Sequence, residues 1–107
     1  MAALTVTQLT TAGVTHSTAS AAGGGDTFTN TGTEFLFITN GGGAGITVTF
    51  DVTGVIGKSG EPGTDRTVSV SNGVTKIIGP FDPAAFGGSV SVTYSAVTSV
   101  VVAVYKV

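Results

Sequence analysis

The residues able to do chemistry are few in this chain, and their spacing serves none of the usual reactions. His16 is followed directly by Ser17, the types from which a base and a nucleophile are drawn. Such a pair also needs a third, orienting group brought in by the fold, so His16 reads as an exposed loop histidine. A zinc centre would start from one histidine and no cysteine, leaving carboxylates to complete four ligands. The acids Asp26, Glu34, Asp51, Glu61, Asp65 and Asp82 are scattered, and none falls in the alternating oxygen-ligand spacing of a calcium loop. The glycine-rich segments 23–25 and 41–45 lack the Lys-Ser/Thr of a phosphate loop and lead into strands rather than helix N-termini. With no Trp, and Tyr94 and Tyr105 as the tyrosines, a sugar-stacking platform is poorly supplied. The sequence therefore predicts no enzyme, no cofactor and no metal site, and function must come from surfaces.

Composition narrows those surfaces. The chain has 107 residues, enough for one domain with a modest core, and 41% of them are hydrophobic. Charged residues make up 9%, against roughly 25% in ordinary soluble proteins. Thr, Gly, Val and Ser fill the difference and favour strands and turns over helices. A surface so poor in charge is weakly protected against association, which suits a protein that works inside an assembly. Net charge is −2, and the basic residues are Lys58, Arg66, Lys76 and Lys106. Nucleic-acid binding needs a clustered positive surface and is not expected. The first residues have neither the basic nor the continuous apolar region of a secretory signal. The longest apolar run, Val100 to Tyr105, is too short to cross a bilayer, so no membrane partner is expected.

The elements that must position any surface are read from the apolar period. Phe35-Leu36-Phe37-Ile38 is apolar on both faces, the pattern of a strand covered on both sides. Ile46, Val48 and Phe50 alternate with Thr47 and Thr49, as in a half-buried strand. The intervening Asn40–Gly45 reverses the chain, which predicts a hairpin. A second hairpin is expected over Arg66–Gly79, with Asn72-Gly73 in a type I′ turn and Val70 facing Thr75, Val68 facing Ile77 and Ser69 facing Lys76. Asp82 to Gly87 predicts one helical turn: Asp82 as N-cap, Pro83 at the first helical position, Gly87 as the stop. Phe81 and Phe86 are expected to close one end of the core. A last hairpin is expected over Ser89–Val107. Shorter strands are expected near residues 3–9 and over Asp26–Asn30. The whole predicts an all-β fold, an antiparallel β-sandwich of about 7–8 strands, with a small β-barrel as the alternative. Residues 1–25 are expected as an N-terminal arm that can include one strand, and 26–107 as the sandwich domain. The arm either orders on a neighbouring subunit or pairs within its own sheet.

Five pieces together carry a resemblance. They are Asp65-Arg66-Thr67-Val68-Ser69-Val70, Ile78-Gly79-Pro80-Phe81-Asp82-Pro83, the run Val92–Val100, the closing Val102-Ala103-Val104, and Phe35-Leu36 through Asn40-Gly41 to Thr47-Val48-Thr49. In this order the chain resembles, over residues 26–107, small proteins encoded among the virion structural genes of tailed bacteriophages. The resemblance implies a capsid decoration, or cement, protein. Such a protein is made in the host cytoplasm, sits on the outer capsid surface, and partners the major capsid protein lattice. It also implies a homo-oligomer, with a trimer favoured, and carries over no catalytic residue. The alternative expectation is a carbohydrate-binding or adhesive β-sandwich module of a phage fibre or secreted protein. Candidate partner contacts are Leu4, Val6 and Leu9, on an arm that can add a strand to a neighbour's sheet, and Lys58, Glu61, Pro62 and Asp65, on the loop from Gly57 to Asp65.

Overall fold

Period-2 alternation builds two sheets whose apolar faces meet. A computed structural model describes residues 2–52 and 65–107 in full, and 55–56 and 61–62 as backbone. The first sheet runs in the order β1 (Ala2–Ala3), β4 (Asp26–Thr29), β11 (Ser89–Tyr94), β6 (Ile46–Phe50) and β9 (Arg66–Val70). The second runs β10 (Thr75–Ile78), β5 (Glu34–Asn40), β12 (Val100–Lys106) and β2 (Val6–Gln8), with β3 (Ala19–Ser20) also pairing with β12. A small antiparallel pair, β7 (Val55–Ile56) and β8 (Glu61–Pro62), lies between β6 and β9 in the chain. The two sheets pack together without closing into a barrel, with 48% strand and 4% helix. The β-sandwich is therefore the fold, and the barrel alternative is set aside.

The strands of four residues or more, β4, β5, β6, β9, β10, β11 and β12, form an antiparallel body. The N-terminal segment adds to it in parallel through β1 against β4 and β2 against β12, and antiparallel through β3 against β12. Leu36, Ile38, Val102 and Val104 of the second sheet face Phe28, Val48, Phe50 and Val92 of the first, all buried. Phe81 closes one end. Its ring lies 5.5 Å from Phe28, 5.0 Å from Phe50 and 5.2 Å from Phe86. Beside it, α1 (Pro83–Phe86) has the expected chemistry: the Ala84 N–H donates to Asp82 Oδ1 at 3.0 Å, and the Gly87 N–H returns to the Pro83 carbonyl at 2.9 Å.

The three expected hairpins are all corrected. β5 and β6 lie in opposite sheets, as do β9 and β10, and β11 and β12. Each connection is an arch that carries the chain across the core. The physical reason is that a period-2 strand with a turn after it reads alike in both cases. The apolar faces of the two limbs can lie side by side in one sheet or opposite each other across the sandwich. Here they lie opposite, so Val70 pairs with Ile46 and Thr75 with Thr39. The turn at 71–74 is also different from type I′. The Val74 N–H donates to the Ser71 carbonyl at 3.1 Å, and Gly73 has φ +75°, whereas Asn72 stays at negative φ. Positive φ at the second central position alone is the pattern of a type II turn. Gly73→Val forces a β-branched residue into that conformation, and the expected cost is about 1–3 kcal/mol. No neighbour lies within 4 Å of the added Cβ, so the shift in urea midpoint reads backbone strain rather than a Cβ clash.

Candidate contact surface

Buried polar groups fix the two ends of the sandwich. Asn40, at the end of β5, is fully buried. Its Nδ2 donates to the Ala44 carbonyl at 2.8 Å and to the Val70 carbonyl at 3.1 Å, and its Oδ1 accepts from the Gly42 N–H at 3.0 Å. Its backbone N–H donates to the Val74 carbonyl, and its carbonyl accepts from the Gly73 N–H at 2.7 Å. The Gly41 N–H donates to the Ser99 carbonyl at 2.9 Å. Thus one residue and its neighbour tie together the turns at 40–45, 71–74 and 95–99. Asn30 repeats the device at the other end, accepting from the Gly32 N–H and donating to the Gly87 carbonyl. A buried Asn with these partners spent is a structural clamp.

Two carboxylates are also buried. Asp26 Oδ2 accepts from the Tyr94 hydroxyl at 2.7 Å and from the Ala22 N–H at 3.2 Å, while Oδ1 meets no donor among the described residues. Burial first, and then the hydrogen bond and negative charge of Asp26, push the Tyr94 phenol above its ordinary range. Glu34 at the start of β5 accepts from the Thr31 N–H at 2.7 Å, the Thr33 N–H at 3.1 Å and the Thr31 hydroxyl. Burial would raise its pKa, but the hydrogen bonds from Thr31 and Thr33 outweigh that and hold it below the ordinary 4.5. A depressed carboxylate contributes stability that is complete above the unfolded-state pKa and is lost as pH falls through the folded one. Acid titration followed by circular dichroism should therefore show Glu34→Gln losing part of the wild type's loss of stability below about pH 4.5.

The surface left open is the outer face of the second sheet. Phe35 lies opposite Tyr105, and Phe37 lies between Ala103 and Ile77. Part of this face is covered by the segment that carries His16. Its ring stands edge-on to Phe37 at 4.4 Å, and its Nδ1 hydrogen-bonds the Tyr105 hydroxyl. The Ser17 N–H donates to the same oxygen at 3.3 Å. His16 is thus exposed as expected, and it serves as a cover on two rings. Beyond it the face is bare: Ile77 is 65% exposed and Val107 72%. With Phe35, Gly79 and Pro80 they line a shallow apolar depression of about 560 Å³.

The residues predicted as contacts are only partly brought to the surface. Leu4 and Val6 pack against the core, because β1 and β2 take places in their own sheets. Both are partly buried there, on strands of their own sandwich rather than on a free arm. Of the two readings of residues 1–25, self-pairing is the one the fold takes. Leu9 remains 39% exposed, with its N–H on the Lys106 carbonyl at 2.8 Å. Asp65 is exposed, and its Oδ1 accepts from the Val52 N–H at 3.1 Å. Lys58 lies outside the described residues, as do the side chains of Glu61 and Pro62. Sequence reasoning missed the bare face, although its signal was present. Phe35–Ile38 and Val100–Tyr105 are apolar on both faces, which predicts cover on both, and the chain itself covers one fully and the other in part.

These elements define a β-sandwich with one open apolar face and no gathering of three or more metal-ligating side chains among the described residues. No protein-family model, no curated protein and no solved structure matches this chain.

Proposed function

We propose that the protein is a non-enzymatic virion structural protein of a tailed bacteriophage. It binds the outer surface of the capsid as a homo-oligomer and stabilises the assembled shell. The observation that carries this reading is the bare outer face of the second sheet. Exposed apolar surface ringed by polar residues marks an interaction site, and in a chain with 9% charge little else drives association. The resemblance over residues 26–107 supplies the kind of assembly. The mechanism is mass action: a protein that binds the assembled lattice and not its free subunits shifts the balance toward assembly.

Contacts of this kind rest on apolar burial and backbone pairing, so salt should affect them little. Screening shortens to about 3 Å at 1 M ionic strength and would release a partner held by surface charge. Purified expanded capsids mixed with excess protein should carry it into the pellet, and the bound fraction should survive about 1 M salt. Absence from the pellet at low salt rejects the reading.

One observation favours the runner-up, a glycan-binding or adhesive module. A groove of about 330 Å³ between β2 and β3 is lined by Thr5, Thr7, Ser17 and Thr18, whose hydroxyls suit sugar hydroxyls. That reading requires glycan binding by the isolated protein, with no lattice present.

A further inference from the structure

An open sheet ends in strands whose outer backbone groups lack a partner, and proteins usually blunt such edges. All but one of the edges here are blunted. β1, at one edge of the first sheet, is two residues long. β2 and β3, which share an edge of the second sheet, are three and two residues long. β10, at the other edge of the second sheet, carries Lys76 opposite Ile38, whose side chain is buried in the core. Opposite residues of an antiparallel pair share a face, so this lysine leaves an edge strand on its inner side, a known guard against edge pairing. β9 has no such guard. It is five residues long, pairs with β6 without a bulge from Arg66 to Val70, and contains neither glycine nor proline. From Thr67 to Thr75 the chain carries no charge.

The ladder fixes which backbone groups of β9 point outward. On the β11 side of β6, the Ser95 N–H donates to the Thr47 carbonyl at 3.0 Å and the Asp51 N–H to the Ser91 carbonyl at 3.0 Å. Backbone groups alternate sides along a strand, so Ile46, Val48 and Phe50 turn the other way and bond to Val70, Val68 and Arg66. Thr67 and Ser69 therefore aim their N–H and C=O groups away from the sheet, where they meet no backbone partner among the described residues. Both residues are exposed, and Val68 between them is half-buried.

We propose that a second copy of this chain docks on β9 through its own β9, the two strands running antiparallel so that the first sheets of both copies join. This deepens the homo-oligomer of the proposed function and rests on that part of it, not on capsid binding. The edge is complementary to itself. With the two-fold axis beside Val68, the strands overlap over their full length. Thr67 then faces Ser69 of the second copy, and each such pair exchanges both of its N–H to C=O bonds. Their hydroxyls fall side by side on the outer face, a favourable cross-strand pair. Val68 meets Val68 on the inner face, and Arg66 lies opposite Val70, so no like charges oppose each other. A two-fold contact closes on two copies, where the resemblance implies three. The bare outer face of the second sheet is a separate surface and takes no part in the pairing.

The test removes the outward donors. Proline is tolerated on an edge strand where its missing N–H faces outward, so Ser69→Pro and Thr67→Pro each delete one outward donor and no bond of the chain's own ladder. Sedimentation equilibrium over a concentration series should show the wild type passing from one copy to two. Each proline variant, once thermal unfolding has shown it folded, should dimerise about tenfold more weakly or worse. Amide hydrogen exchange on the wild type needs no variant. The Thr67 and Ser69 N–H groups should exchange freely in dilute protein and become protected as it dimerises, while those of Val68 and Val70 stay protected throughout. A wild type that remains a single copy, or assembles as three, overturns the pairing. So does a dimer in which the Thr67 and Ser69 amides stay unprotected, or one that a folded proline variant forms equally well. Co-sedimentation with expanded capsids separates the two readings. A single copy that still pellets overturns the pairing alone, and a dimer that never pellets supports the pairing and overturns the capsid reading alone.

Discussion

Replacing Phe50 with Ala should lower the free energy of unfolding by about 3–5 kcal/mol. Phe50 ends β6 with no exposure at all, and its ring meets Phe81 at 5.0 Å. Phe81 in turn carries Phe28 and Phe86. Removing the ring loses its transfer free energy and leaves a cavity that a sandwich tied at both ends cannot collapse. Since one kcal/mol moves the midpoint of a domain this size by about 4 °C or more, the melting temperature should fall by roughly 12 °C or more. A change below about 1 kcal/mol, the scale of an ordinary surface substitution, would mean that the aromatic cluster does not close the core.

Gly79→Ala should be nearly as damaging, though it adds only a methyl group. Gly79 has φ +144°, a conformation that L residues rarely adopt. An added Cβ would lie 2.9 Å from the Glu34 carbonyl oxygen and from Phe35 Cα and Cβ. Strain of about 1–3 kcal/mol and overpacking of about 1–3 kcal/mol act together. The clash pushes β10 away from β5, beside the apolar depression that Gly79 helps to line. A urea midpoint within error of the wild type would show that the two strands have room to separate there.

These sites differ in how far the sequence revealed them. The helical turn at 82–87 was legible because its signals are local: an N-cap, a proline and a terminal glycine act within a few residues of one another. The β class and the length of the main strands were legible from period 2. What period 2 does not carry is the partner of each strand. Asn40–Gly45 and Asn72-Gly73 read as hairpin turns, yet each leads into the opposite sheet. The deciding contacts are long-range ones, such as Asn40 on Val70 and Gly41 on Ser99. The N-terminal segment was hard to read for a related reason. Its strands are two or three residues long and are held by neighbours far along the chain. The bare outer face was half legible. The double apolar pattern of β5 and β12 predicts a cover, and only the structure shows that His16 supplies part of it.

Shell rupture on heating tests the central claim most directly. Expanded capsids of the cognate phage, stripped of any decoration, are heated with and without saturating protein while released DNA or scattered light is followed. A protein that binds the assembled lattice and not its free subunits must raise the rupture temperature, and the rise must grow with protein concentration until the sites are full. A rupture temperature that stays unchanged while the protein is bound would contradict the account.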